Sequence, residues 1–330
     1  MKRAGSILLG RAEIRGLLGF EEYLQVVEEA FRSHAQGKTL KPGLLHVDSV
    51  DGEFHIKAGG LQLSKRYFGL KVNGGFFRNR ERFGMPNIQG IILLCDGENG
   101  YPLAVMDSSE ITMKRTGAAA AIAAKHLARP ESAILTVCGC GIQGHVQLYS
   151  MKSVLPIKKA YVYDIDRERS ESFAEEMSAQ CGIEVVATRD LEKSVRESDV
   201  LVTCTPSRRQ YIEKGFISAG TFVAAMGADS PEKQELDPEL LRTAKVVVDL
   251  LEQCANVGEL HHAIERGMAK EAVYAELSEI IVGSKPGRTS KEEIIIFDAT
   301  GTALQDVAAS AAIYEKALIR GSGQVFDFFA

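Results

Sequence analysis

The stretch Ala133-Ile134-Leu135-Thr136-Val137-Cys138-Gly139-Cys140-Gly141-Ile142-Gln143-Gly144 decides the fold. Its first six residues are a short apolar run with β-branched members, the pattern of a buried strand. Glycines at 139, 141 and 144 follow at once, and the apolar positions Val146, Leu148, Tyr149 and Met151 continue as a helix that starts inside the motif. In that order each glycine has a task. The first turns the chain tightly, the second lets backbone approach a pyrophosphate, and the third lets helix and strand pack closely. The start of the helix then offers N–H groups to an anion. Strand, loop and helix together predict a dinucleotide site on a Rossmann-type unit; the bland alternative is a purely structural glycine turn.

Downstream, Ala160-Tyr161-Val162-Tyr163 reads as the next strand and ends on Asp164, twenty residues after Gly144. A carboxylate there accepts from a ribose 2′-OH and repels a 2′-phosphate, which favours NAD over NADP; a solvated strand end is the alternative. Helices over 167–180 and 191–197 alternate with strands over 184–187 and 200–204, and apolar runs over 221–225, 245–249 and 294–297 continue the series. Such alternation predicts βαβ units and a parallel sheet. The strand from Val200 leads into Thr205-Pro206-Ser207, where sheets of this kind set a small polar loop beside the dinucleotide, although an ordinary turn reads equally well.

Upstream the texture differs. A helix over 21–35 shows the apolar rhythm Leu24, Val27, Ala30 and Phe31, and Gly37 stops it. β-like runs follow over 44–50, 54–58, 67–72 and 88–95, and the turn Asp96-Gly97-Glu98-Asn99-Gly100 separates the last of these from Leu103-Ala104-Val105-Met106. These predict an antiparallel or mixed sheet. The alanine-rich run Thr116 to Leu127 predicts a helix joining two lobes.

At 330 residues, with 45% hydrophobic and 25% charged residues, the chain has the composition of a globular protein of two lobes or one large α/β domain. A net charge of −5, with both signs mixed throughout, argues against a nucleic-acid partner. The apolar run Ile7-Leu8-Leu9 is too short for a signal-peptide core or a membrane span, so a cytoplasmic protein without a membrane partner is expected. Six scattered cysteines show neither a disulfide framework nor zinc spacing, and the glycine loop accounts for Cys138 and Cys140, so no metal is expected.

Six features occur in one order, the glycine loop among them: Pro102-Leu103-Ala104-Val105-Met106-Asp107; Lys114-Arg115-Thr116-Gly117-Ala118-Ala119; the glycine loop with Gln143; Asp199 to Arg208; Met226-Gly227-Ala228-Asp229 with Lys233 to Asp237; and Phe297 to Gly301 with Gln305-Asp306. Together they resemble the ornithine cyclodeaminase/μ-crystallin family, most closely its archaeal-type alanine dehydrogenases. Before residue 90 the resemblance thins. It implies an α/β fold with a Rossmann-type doubly wound parallel sheet over 115–305, and a smaller α+β substrate and dimerisation lobe over 1–114 completed by 306–330. It also implies a homodimer, NAD, and a small amino, imino or keto acid as substrate. Members include dehydrogenases, imine reductases and cyclodeaminases that recycle NAD and release ammonia, besides a non-catalytic ligand-binding protein. Carried over by motif, Arg115 binds the substrate carboxylate, Lys71 touches the carboxylate or polarises the reacting carbonyl, and Asp229 manages protons. Asn87 stands where relatives place threonine near the substrate. Thr116, Gly139, Gly141, Ile142, Gln143, Gly144, Asp164, Thr205, Pro206, Met226, Gly227, Thr300 and Gly301 make up the cofactor set. One departure stands out, because Lys41-Pro42-Gly43-Leu44 lacks the basic residue that many relatives carry just after this proline. Strand alternation places His55 and Lys57 on one face. Lys57 then either replaces the missing carboxylate contact or reads a second acidic group, as on iminosuccinate; a solvated pair on an exposed face is the alternative.

Overall fold

The computed structural model describes residues 5–328. The chain divides into two compact units, one built from everything up to Arg115 together with Thr302 onward, the other from Thr116–Gly301.

The first unit holds a seven-stranded sheet in the order Gln324–Phe326, Ser6–Leu9, Pro102–Asp107, Ile88–Asp96, Arg66–Gly75, Gly52–Gln62 and Thr39–Ser49. Ser6–Leu9 runs parallel to Pro102–Asp107 while its other pairings are antiparallel, so the sheet is mixed. The edge strand extends upstream of Leu44 through Pro42, with a register shift between Leu40 and Gly43. A proline lacks the ladder donor, and an edge strand at a bulge is where that loss is tolerated.

Pleating separates two faces of this sheet. His55 pairs across from Asn73 and Lys57 from Lys71, and His55, Lys57 and Lys71 are buried. The exposed-face reading of His55 and Lys57 is therefore wrong. The helix Ala303–Arg320 lies over this side: a Cβ on Gly69 would meet Val307 Cγ2 at 2.7 Å, and one on Gly59 would meet Ala303 Cβ at 3.2 Å. The opposite face carries Leu45, Val47, Phe54 and Ile91, which remain 56%, 41%, 39% and 51% exposed.

The joining helix spans Ser108–Leu127, not merely the alanine-rich part from Thr116. Asp107 explains the earlier start: its Oδ1 accepts from the backbone N–H groups of Ser109 at 3.1 Å and Glu110 at 3.2 Å, which satisfies two donors of the first turn.

The second unit holds an eight-stranded, wholly parallel sheet in the order Ala275–Glu276, Lys245–Val248, Ile295–Asp298, Phe222–Ala225, Val200–Thr203, Ile134–Cys138, Lys159–Tyr163 and Glu184–Ala187, and a two-stranded parallel sheet of Arg208–Ile212 and Gln234–Leu236. Its central strands are buried along their length, as strands covered on both faces are, which is why they read as continuous apolar runs. From Ile134–Cys138 the chain proceeds to one edge, then returns to Val200–Thr203 on the other side of that first strand. This reversal is the switch point at which open α/β sheets receive ligands. Among the described residues no helix is long and apolar enough to cross a membrane.

Candidate active site

The glycine loop leaves the first strand exactly at the switch point's carboxyl end. Gly139 takes a φ of +105°, and a Cβ there would meet Cys204 O at 2.9 Å, so the loops following the two adjacent strands touch backbone to backbone. At Gly144 a Cβ would lie 2.1 Å from Gly139 O, which is the close packing assigned to the third glycine. Gly141 is different, with nothing of the protein within 4 Å of a Cβ built on it. It is the N-cap of the helix Ile142–Val154, whose first amides have no acceptor within the helix. Ile142, 72% exposed, opens that helix, and Gln143 is half-buried beside it. An open glycine at a helix start is a cradle that fits a pyrophosphate. Asp164 accepts from Cys140 N at 2.9 Å and from Asp166 N at 3.0 Å, so it also ties the second strand to the loop.

The neighbouring loops are held from beneath. Thr205 donates through N and Oγ1 to Glu235 Oε1, both at 2.7 Å, and Gly227 N donates to Glu235 Oε2 at 3.1 Å. Met226 N donates to Thr203 O at 2.8 Å, while Pro206 stays exposed. Thr300 and Gly301 follow the strand Ile295–Asp298 and are fixed by Asp249, which accepts from Thr300 Oγ1 at 3.1 Å and Gly301 N at 2.7 Å. Thr116 is half-buried in the joining helix. Asp229 is half-buried, and Lys233 Nζ donates to its Oδ1 at 2.6 Å.

In the first unit, three predicted residues converge. Lys57, Lys71 and Arg115, each no more than 4% exposed, gather about one carboxylate, Asp306. Lys71 Nζ lies 2.7 Å from Asp306 Oδ2; Arg115 donates through Nε to Asp306 Oδ1 and through Nη1 to Gln305 Oε1, both at 2.9 Å. Lys71 Nζ also approaches Thr112 Oγ1 at 3.4 Å. Burial pushes the Lys71 ammonium down to about 7; Asp306 opposes that shift, and Arg115 and Lys57 add to it. Burial alone would raise Asp306, but Arg115, Lys71 and Lys57 outweigh it and hold the carboxyl below its ordinary value. The cluster is a dry, cationic site in which Arg115 keeps its Nη2 edge for a further oxygen, an arrangement suited to a carboxylate. Asn87 works locally: its Oδ1 accepts from Arg80 N at 3.1 Å and its carbonyl from Phe76 N at 2.7 Å, which organises the turn before the strand Ile88–Asp96.

A model of the ornithine cyclodeaminase/mu-crystallin family matches residues 6–321. The chain belongs to that family. It is 39% identical over 325 residues to an alanine dehydrogenase of Archaeoglobus fulgidus, covering 98% of this chain and 99% of the relative. Among solved family structures, an archaeal alanine dehydrogenase dimer with bound NAD superposes with a TM-score of 0.93 at 39% identity, covering 98% of this chain and 99% of that one. A Δ1-pyrroline-2-carboxylate reductase of Thermococcus litoralis, in complex with NADH and L-proline, gives 0.92 at 34% identity, covering 97% and 100%. The resemblance and the α/β fold read from the sequence are thus both correct.

Four residues had no role assigned from the sequence: Asp306 and Gln305 as anchors of Arg115, Thr112 beside Lys71, and Glu235 beneath the Thr205 and Gly227 loops. Gln305-Asp306 and Glu235 lay within the motifs that carry the family resemblance, whereas Thr112 had no such signal.

Proposed function

We propose that this family member is an NAD-dependent reductase or dehydrogenase interconverting a small α-imino or α-keto acid and an L-amino acid. The observation that carries the reading is the buried cluster of Lys57, Lys71 and Arg115 about Asp306, built to take an anionic substrate, in a chain whose other unit has an open glycine cradle. NADH, when bound, supplies the hydride for the α-carbon. Arg115 orients the substrate carboxylate through its free edge. Lys71, with its proton held weakly at about 7, donates to the imino or keto acid as it is reduced, or takes the proton back in the reverse direction. Asp229, presented with Lys233, handles the second proton transfer at nitrogen or water. Lys57 supplies the cation absent after Pro42, or pairs with a second acidic group on the substrate. Asn87 borders the substrate through the amide left over from its turn. Thr116, Gly139, Gly141, Ile142, Gln143, Gly144, Thr205, Pro206, Met226, Gly227, Thr300 and Gly301 cradle the dinucleotide, and Asp164 takes the ribose hydroxyl. The unit up to Arg115 serves substrate binding and dimerisation.

We also propose a homodimer, joined through the exposed apolar face of Leu45, Val47, Phe54 and Ile91; the dimeric alanine dehydrogenase relative supports this. Free thiols at all six cysteines support a cytoplasmic location.

The test is a panel of pyruvate, oxaloacetate and longer keto acids with ammonia, cyclic imines, ornithine and lysine, assayed with NADH and NADPH. Oxidation of NADH matched by amino-acid formation is the expected result. Ammonia released from ornithine with no net change in NADH would replace the reading with a cyclodeaminase, and binding without turnover of any substrate would replace it with a ligand-binding role. Lys57→Ala should raise KM for the preferred substrate, and an unchanged kcat/KM across the panel refutes its part.

A further inference from the structure

Beneath the loops at the carboxyl end of the parallel sheet lies a buried relay of three carboxylates. Asp298, the last residue of its strand, accepts from Glu259 N at 3.2 Å and Leu260 N at 2.9 Å, at the start of the helix Glu259–Glu265. Glu259 in turn accepts from Glu235 N at 2.7 Å and Leu236 N at 3.2 Å, fixing the short strand Gln234–Leu236. Glu235 then reaches the loops after the strands Val200–Thr203 and Phe222–Ala225. It collects Thr205 N, Thr205 Oγ1 and Tyr211 Oη, each at 2.7 Å, on one oxygen and Gly227 N at 3.1 Å on the other. The fit is tight, since a Cβ on Gly227 would lie 2.3 Å from Glu235 Oε2.

We propose that Glu235 is a positioning residue for the dinucleotide, an acceptor shared by the Thr205 and Gly227 loops that fixes them relative to each other. This rests on the reading of those loops as cofactor contacts. The geometry demands an acceptor on both oxygens, because two backbone amides and two hydroxyls converge on them. A carboxylate supplies that; an isosteric carboxamide turns an NH2 group toward one set of donors and forces one loop away. Burial raises the proton affinity of Glu235, and the hydrogen bonds from Thr205 and Tyr211 offset part of that rise. A leucine or valine core residue in its place would pack the space and leave both loops untethered. Hydrogen bonds to a charged acceptor are stronger than those between neutral groups, so losing one loop's tether is a first-order effect on a site formed by that loop.

The experiment compares Glu235→Gln, Glu235→Asp and Tyr211→Phe with the wild type by NADH fluorescence titration, steady-state kinetics and thermal melting. Glu235→Gln should raise Kd and KM for NADH at least about ten-fold while kcat at saturating NADH stays within about three-fold. Glu235→Asp should recover part of the affinity. Tyr211→Phe, which removes one donor and leaves both loop amides their acceptor, should raise Kd about two- to three-fold. A Kd within two-fold of wild type in a folded Glu235→Gln overturns the proposal, and so does a fall in kcat with Kd unchanged. If Glu235→Gln does not fold, Glu235→Asp decides between the same outcomes by its own Kd. A wild type that binds no NADH would instead refute the cofactor reading beneath it.

Discussion

Lys71 titrates close to neutrality because burial and two neighbouring cations offset its bond with Asp306. If its ammonium delivers the proton in reduction, reductive kcat/KM should fall as pH rises through about 7, where the proton is lost. Amino-acid oxidation, which needs the neutral amine, should rise across the same interval. Parallel profiles in both directions would remove Lys71 from proton transfer. Arg115 invites a separate test. Lysine at this position keeps the charge but cannot serve Asp306, Gln305 and a substrate oxygen through one planar fork. Arg115→Lys should raise KM for the keto or imino acid about ten-fold or more, with Kd for NADH unchanged. Arg115 and Lys71 were legible because their neighbours in sequence match family motifs. Asp306 was not assigned a role, since the cations it serves lie some 190 to 235 positions earlier and nothing local announces them.

Within the glycine loop the three glycines face different environments, and substitutions should separate them. Gly144→Ala places a methyl group against Gly139 O and should lower Tm by several degrees as well as abolish NADH binding. Gly141→Ala meets no protein atom and has an ordinary negative φ, so Tm should hold while Kd for NADH rises about ten-fold or more. Melting curves with and without NADH read both. If Gly141→Ala binds NADH normally, the pyrophosphate does not lie there. This loop was readable from sequence because strand, turn and helix are consecutive and each leaves a local pattern. The start of the helix Ser108–Leu127 was misplaced for a related reason: alanine content marks its middle, whereas its beginning depends on the Asp107 side chain. Glu235 lay within a quoted family motif, but its place under two other loops shows only in the hydrogen bonds that Thr205 and Gly227 make to it.

At the scale of the molecule, the first unit's sheet has one face covered by the helix Ala303–Arg320 and one face carrying Leu45, Val47, Phe54 and Ile91. If that second face joins two protomers, the double substitution Val47→Asp and Ile91→Asp should yield monomers in analytical ultracentrifugation; a persisting dimer places the interface elsewhere. The unit is also discontinuous, with Arg115 and Lys71 completed by Gln305 and Asp306. That has a consequence for biosynthesis. A ribosome delivers the three cations and most of their sheet early, then the whole parallel-sheet unit, and only afterwards the carboxylate they share. Until then the nascent amino-terminal segment lacks both the Asp306 carboxylate and its covering helix, so the face that carries Lys57 and Lys71 stays uncovered while the intervening unit folds. Maturation of the substrate pocket is therefore a late event, timed by release of the last thirty or so residues and not by the folding of the pocket's own walls.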